Sequence, residues 1–303
     1  MADFYLDNTV RPRRSLLSVP SINSRALAKV PNLDCDGVIF DLEDSVAPDM
    51  KDDARRNLLS FFKETRLNER ESIIRINPLS SAAGRADLVA VLECRPNAVL
   101  VPKVDHPSDI HDIADVLAEA DAPEDIKIWA MIETPKGVLN AAAIAEASHT
   151  QGSRLGGFIV GLNDLRKETR VPSRAGRHTL LPWLMQIVLA ARAYGLEVID
   201  SVSNDFSDLD AFASECEQGR AMGFDGKMLI HPAQIDAANR AFAPTHEELS
   251  EAQDIIAAFA KPESVGLNVI NDNGRMIERL HVSEAERLVA LMNVIARRKG
   301  QET

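Results

Sequence analysis

Eight short apolar runs recur along this chain, helix-forming stretches lie between them, and each run stops at a charged or polar residue. Runs that read as parallel strands alternating with helices predict an α/β fold, the closed (β/α)₈ barrel. In such a barrel the C-terminal strand ends form the functional rim, so the residues that end the runs are the first candidates for chemistry. At 303 residues and 45% hydrophobic content, the chain suits one barrel better than two small domains.

The first strand reads as Ser15–Val19, stopped by Pro20 and followed by a short helix over residues 23–29 capped by Ser21 or Asn23. The second is Gly37–Asp41, and the third, fourth and fifth are Ser72–Ile76, Ala98–Val101 and Ile126–Ile132. The sixth, seventh and eighth are Gly157–Val160, Leu196–Ile199 and Gly226–Ile230. Helices are expected over residues 51–65, 84–93, 138–147 and 181–194 and after Asp208. The stretch from Leu162 to His178 carries Arg166, Lys167, Arg170, Arg174 and Arg177, is too long for a routine turn, and reads as a functional loop. From about Pro244 onward come a charged helix, a break over 266–274 and a last helix over 283–298. The expected organisation is a barrel over 1–243 and a C-terminal helical extension or lid over 244–303.

A net charge of −12 argues against a general nucleic-acid or membrane-surface binder. Cys35, Cys94 and Cys216 are scattered and odd in number, which suggests neither a disulfide framework nor a thiolate metal site and points to a reducing cytoplasm. No apolar stretch approaches the roughly 20 residues of a membrane helix, and the N-terminus lacks a signal-peptide pattern. The expectation is a soluble, unprocessed protein.

The fifth run ends at Glu133 and the sixth leads to Asp164, which places two carboxylates on neighbouring strand ends. Such a pair repels unless one is protonated or a cation lies between them. Oxygen ligands without His or Cys suit Mg²⁺ or Mn²⁺, completed by water and a bidentate substrate. Equally, each acid can simply cap the following helix. Arg75 and Lys103 are delivered to the same rim. A guanidinium there can hold a carboxylate or an enolate oxygen through two parallel hydrogen bonds, or form a buried ion pair with Glu43 or Asp44. Asp41, Glu43 and Asp44 would ordinarily be a solvated turn, Asp200 and Asp205 can shape the pocket or cap a helix, and His231 receives no catalytic role. Lys227 begins the eighth strand, where a structural contact at the opposite rim is expected.

Taken together, Arg14-Ser-Leu-Leu-Ser-Val-Pro20, Phe40-Asp-Leu-Glu-Asp-Ser-Val-Ala47, Ile74-Arg-Ile-Asn77, Val101-Pro-Lys103, Met131-Ile-Glu-Thr-Pro135, Gly161-Leu-Asn-Asp-Leu165 and Gly223-Phe-Asp-Gly-Lys-Met-Leu-Ile-His-Pro232 resemble one known family over nearly the whole chain. This is the citrate lyase β-subunit-like branch of the HpcH/HpaI aldolase superfamily, which includes malyl-CoA and citramalyl-CoA lyases. The resemblance implies a Mg²⁺-dependent lyase that splits a malyl-, citramalyl- or citryl-type thioester into a 2-oxo acid and an acyl thioester. Glu133 and Asp164 match its metal ligands and Arg75 its arginine at the substrate carboxylate and enolate, with Glu43 and Asp44 orienting metal-bound water. Arg25 and Lys29 match positions near the coenzyme A phosphates. The partners implied are an acyl-CoA or acyl-carrier thioester and a 2-oxo acid, and the assembly implied is a homotrimer or a dimer of trimers.

Two departures leave alternatives open. Ser18-Val-Pro-Ser21 stands where relatives usually show Phe-Val-Pro-Gly, and Asn273-Gly-Arg-Met276 where CoA-dependent lyases commonly have Asp-Gly-Lys-Met. Asparagine cannot exchange a proton as aspartate does, so Asp272 or another group must take that step. A thioesterase on the same acyl-CoA, a citrate lyase β subunit acting on a carrier-protein thioester, and a non-catalytic binding module are the competing readings.

Overall fold

Strands β1 (Ser15–Pro20), β2 (Gly37–Asp41), β3 (Glu71–Arg75), β4 (Ala98–Val101), β5 (Lys127–Ile132), β6 (Leu155–Val160), β7 (Glu197–Asp200) and β8 (Gly226–Leu229) pair in parallel, each with the next. The ring closes where Leu16 of β1 lies opposite Met228 of β8. This is the (β/α)₈, or TIM, barrel expected from the eight runs. The structure is a computed structural model that describes residues 10–300 except 68, 174–175, 265 and 273.

Side chains alternate across each strand, so one set faces inward and the other meets the helices. Leu16, Ile39, Ile73, Trp129, Ile159 and Met228 belong to the buried inner cluster, whereas Leu17, Val38, Phe40, Ile74, Phe158 and Leu229 belong to the outer one. Trp129 is accommodated because β6 offers Gly157, where a Cβ would lie 2.7 Å from the indole ring. At the N-terminal end Arg13 lies 5.2 Å over the Trp129 ring and its Nε is 2.5 Å from Glu71, which closes the barrel floor with a cation on an aromatic face.

The connecting helices are α1 (Ser24–Lys29), α2 (Lys51–Glu64), α3 (Ala82–Cys94), α4 (Pro107–Glu119), α5 (Pro135–Leu139), α6 (Ala141–Glu146), α7 (Leu162–Thr169), α8 (Leu181–Ala193), α9 (Leu209–Ala221) and α10 (Ile235–Ala241). Three expectations change here. Asn23, not Ser21, caps α1, its side chain accepting from the Ala26 N–H. The helix expected over 138–147 is two short helices that meet at Asn140, the first starting at Pro135 with Thr134 as its cap. The stretch read as a functional loop after the sixth strand begins as α7, which buries Leu162 and Leu165.

Asp200 and Lys227 are opposite one another on β7 and β8, both fully buried, with Nζ 2.9 Å from Oδ2. Lys227 also reaches Glu215 of α9 at 2.7 Å, and Arg177 reaches Asp200 at 2.7 Å. A Cβ on Gly219 of α9 would lie 2.8 Å from Asp200 Oδ2, so Asp200 faces the helical layer and does not shape the pocket. Lys227 is structural as expected, but its partners lie on β7 and α9 instead of at the far rim. Asp205 organises its own turn, accepting from the Ser207 N–H at 3.0 Å.

The described residues divide into two compact units, one spanning Arg13–Phe242 and the other taking in those from Ala243 onward together with residues 10–12. Within the second, α11 (His246–Ala260) starts at a capping box between Thr245 and Glu248. The stretch read as a break is a β-hairpin, β9 (Val269–Asp272) paired antiparallel with β10 (Arg275–Glu278), and α12 (Leu280–Gly300) follows. Gly274, at φ +85°, supplies the turn conformation that a Cβ disfavours. Asn273, the position of the departure noted above, lies outside the described residues.

Candidate active site

Asp41 and Arg75 are the last residues of β2 and β3 and stand opposite each other in register. Alternation turns both inward at the C-terminal end, where the carboxylate meets the guanidinium through Nε at 2.7 Å and Nη2 at 2.6 Å. Asp41 also accepts from the Glu43 N–H at 2.8 Å and the Ser45 N–H at 3.1 Å. Burial raises a carboxyl pKa, but the bonds and charge of Arg75 outweigh it and hold Asp41 below its usual range. Sequence reasoning looked to Glu43 or Asp44 as the partner of Arg75. Both are present, at 3.0 and 3.7 Å from Nη1, but Asp41 makes the bidentate pair.

Glu43 is buried and Asp44 exposed. Burial is the main reason the Glu43 carboxyl lies above its usual range, and the Asp44 charge adds to it. Lys51 Nζ donates to the carbonyls of Leu42 at 2.8 Å and Glu43 at 2.6 Å and so pins the turn from below.

Glu133 follows β5 and is 2% exposed. Its Oε1 accepts the Lys103 N–H at 2.9 Å. Lys103 can present that N–H because its φ is +51°, a left-handed conformation in a non-glycine residue. On the other side Gly161 leaves room: a Cβ there would lie 2.5 Å from both Glu133 Cβ and Oε2. Burial, reinforced by the charges of Glu43 and Asp164, pushes the Glu133 carboxyl up to about 8. Lys103 Nζ is 3.4 Å from Glu43 Oε1.

Asp164 is half-buried in the first turn of α7, where a negative charge favours the helix dipole. The loop after β7 is tied to α7 through the amides of Asn163 and Asn204, which exchange hydrogen bonds of 3.2 and 2.8 Å. Among the sequence candidates, therefore, Arg75, Glu43, Asp44, Lys103, Glu133 and Asp164 share one end of the barrel. Arg25 and Lys29 are exposed on α1, beyond β1. His231 caps the 3₁₀ turn over Pro232–Gln234, its Nδ1 accepting from the Ala233 N–H at 3.2 Å. From sequence Asp41 reads only as one acid of a turn, and the signal for its pairing with Arg75 is the register of the two strand ends.

The cluster holds more carboxylate than the neighbouring cations neutralise, and all its candidate ligand atoms are hard oxygens. No group of three or more His, Cys, Asp or Glu able to hold a metal occurs among the described residues. An ion here would rely on two protein carboxylates and take its other ligands from water or substrate, which is the habit of Mg²⁺.

A sequence model of the HpcH/HpaI aldolase/citrate lyase family matches residues 14–232. A (3S)-malyl-CoA thioesterase of Cereibacter sphaeroides is 42% identical over 285 residues, covering 94% of this chain and 96% of the relative. Mitochondrial citramalyl-CoA lyase of Rattus norvegicus is 32% identical over 294 residues, covering 94% and 87%. Among solved structures, CitE from Mycobacterium tuberculosis in complex with magnesium, acetoacetate and coenzyme A superposes with a TM-score of 0.73 at 27% identity, over 93% of this chain and 98% of that one.

Proposed function

Because this chain belongs to the HpcH/HpaI aldolase/citrate lyase family, we propose that it is a Mg²⁺-dependent carbon–carbon lyase acting on a malyl-, citramalyl- or citryl-type thioester. The observation that carries the reading is the buried Glu133, fixed by the Lys103 N–H at 2.9 Å and sharing one end of the barrel with Glu43, Asp164 and the anchored Arg75. A buried carboxylate in a cluster that holds more acids than cations calls for a further cation. Glu133 and Asp164 are the residues to hold Mg²⁺, and a solved relative contains magnesium with coenzyme A and a 3-oxo acid, acetoacetate. Bound there, the ion would supply Lewis-acid polarisation of the substrate oxygens.

In the proposed cleavage the 3-hydroxyl loses its proton, its oxygen becomes the carbonyl of the 2-oxo acid, and the adjacent C–C bond breaks. The electron pair passes to the thioester enolate, which takes up a proton to give the acyl thioester. Arg75, fixed by Asp41, places its remaining N–H donors where a substrate carboxylate or enolate oxygen can accept them. Glu43 and Asp44 orient water at the rim. Arg25 and Lys29, one helical turn apart and exposed, are assigned to the phosphates of coenzyme A.

Hydrolysis of the same thioester is the second reading, favoured by the 42% identity to a malyl-CoA thioesterase. Assembly as a trimer and a cytoplasmic location belong to the same proposal; the free thiols of Cys35, Cys94 and Cys216 support a reducing compartment. No helix among the described residues is long and apolar enough to cross a membrane.

The test is incubation of the protein and Mg²⁺ with malyl-CoA, citramalyl-CoA and citryl-CoA, following 2-oxo acid and free thiol together. Oxo acid without thiol identifies a lyase and its substrate, and thiol release identifies hydrolysis. Full turnover by both Glu133→Ala and Asp164→Ala would sink the proposal.

A further inference from the structure

Arg75, Lys51 and Lys103 stand beside the carboxylates of the rim, but they are not equally engaged. Arg75 spends Nε and Nη2 on Asp41 and turns Nη1 toward Glu43 at 3.0 Å. Lys51 Nζ is fixed between two backbone carbonyls. Lys103 makes one long contact, 3.4 Å to Glu43 Oε1, and its side chain is 39% exposed. An ammonium carries three donors, so most of its hydrogen-bonding capacity remains available.

Its position is built by the backbone. A φ of +51° is unfavourable for a residue with a Cβ, and it persists here with the Lys103 N–H on Glu133 Oε1 at 2.9 Å. The same residue thus touches two acids of the cluster, Glu133 through its amide and Glu43 through its ammonium. Glu43 is shared between Arg75 at 3.0 Å and Lys103 at 3.4 Å, and it keeps the shorter contact if an incoming anion takes the ammonium.

We propose that Lys103 is a substrate-contacting residue whose ammonium receives the carboxylate of the 2-oxo-acid half of the substrate. The inference rests on the thioester-cleaving reading above and adds to it a cation that the reading leaves unassigned. Charge explains the need. A divalent ion held by Glu133 and Asp164 is matched by those two carboxylates, and Arg75, paired with Asp41, keeps its remaining donors for the enolate oxygen. A substrate carboxylate entering this acidic mouth requires a further positive charge, and Lys103 is placed to supply it.

The experiment is calorimetric titration of pyruvate, glyoxylate and oxaloacetate into wild type, Lys103→Met and Lys103→Arg at saturating Mg²⁺, with Mg²⁺ titrated separately into each protein. Loss of a charge-assisted hydrogen bond predicts oxo-acid binding weaker by about tenfold or more in Lys103→Met, largely restored in Lys103→Arg, with Mg²⁺ affinity changed less than about threefold. Lys103→Met binding the oxo acids as tightly as wild type overturns the proposal, and so does an equal loss of Mg²⁺ affinity, which would make Lys103 a positioning residue for the metal ligands. Failure of wild type itself to bind any oxo acid defeats the thioester reading and Lys103 with it, an outcome distinct from an unaffected variant.

Discussion

Asp41 grips Arg75 across adjacent strand ends through two hydrogen bonds of 2.7 and 2.6 Å, and both residues are buried. The carboxylate also accepts two backbone N–H groups of the following turn, so one aspartate orients the guanidinium and shapes the segment that carries Glu43. Arg75 is thus an aimed group, held before any substrate arrives.

Replacing Asp41 by alanine leaves a buried guanidinium without its main partner. Removal of one member of a buried pair costs about 3–5 kcal/mol. Asp41→Ala is therefore expected to lower the midpoint of urea unfolding by a corresponding amount and to reduce kcat well beyond any change in KM. A variant with wild-type stability and kcat would show that Glu43 alone suffices to place Arg75.

Glu133 predicts the pH dependence of the metal-free protein. Its folded-state value of about 8 lies above its ordinary 4.5, so between those limits the native state keeps a proton that the unfolded chain has released. The unfolded state then binds fewer protons, and the Glu133 contribution makes stability fall as pH rises through that window. Thermal unfolding without Mg²⁺ from pH 5 to about 8 should show this decline, and Glu133→Gln should flatten it. Added Mg²⁺ should recover most stability at the alkaline end, where the carboxylate is available. An identical pH profile for wild type and Glu133→Gln would contradict the assignment.

The order of the eight strands and the rim positions of Arg75 and Glu133 were legible because both depend on local apolar runs and on what ends them. The pairing of Asp41 with Arg75 was not, since it depends on register between strands far apart in sequence, and a cluster of acids in a turn looks solvated until the register is known. Helix α7 was hidden by its charges, although Leu162 and Leu165 keep helical spacing. The hairpin of β9 and β10 had a signal in Asn273-Gly274, a dipeptide suited to a two-residue turn, but the surrounding glycine and asparagine read as a break. The left-handed φ of Lys103 has no sequence signature at all, because lysine is not a residue that selects it.

Gly161 tests the geometry around Glu133 without touching a charge. A Cβ at this position would lie 2.5 Å from Glu133 Oε2, so the carboxylate must shift. Displacement of a reacting group by about 1 Å can cost about 100-fold in rate. Gly161→Ala is expected to lose activity on that scale and to bind Mg²⁺ more weakly, while circular dichroism stays native. Retained Mg²⁺ affinity would place the metal elsewhere.

Lys227 provides the contrasting case of a buried charge whose work is structural. Its ammonium is fully buried between Asp200 at 2.9 Å and Glu215 at 2.7 Å, in the layer between the barrel and α9. Asp200 is held below its usual range because Lys227 and Arg177 outweigh the effect of burial. In Lys227→Met the methionine fills similar volume, Asp200 retains Arg177, and Glu215 is partly exposed to water. Removing one partner from a buried pair costs about 3–5 kcal/mol, and the remaining contacts place this variant near the lower end. Urea unfolding should therefore shift substantially, whereas kcat/KM per folded molecule should stay near wild type because the charge faces away from the mouth. A selective loss of kcat/KM with stability unchanged would show that the network behind β7 and β8 controls the site in front of them.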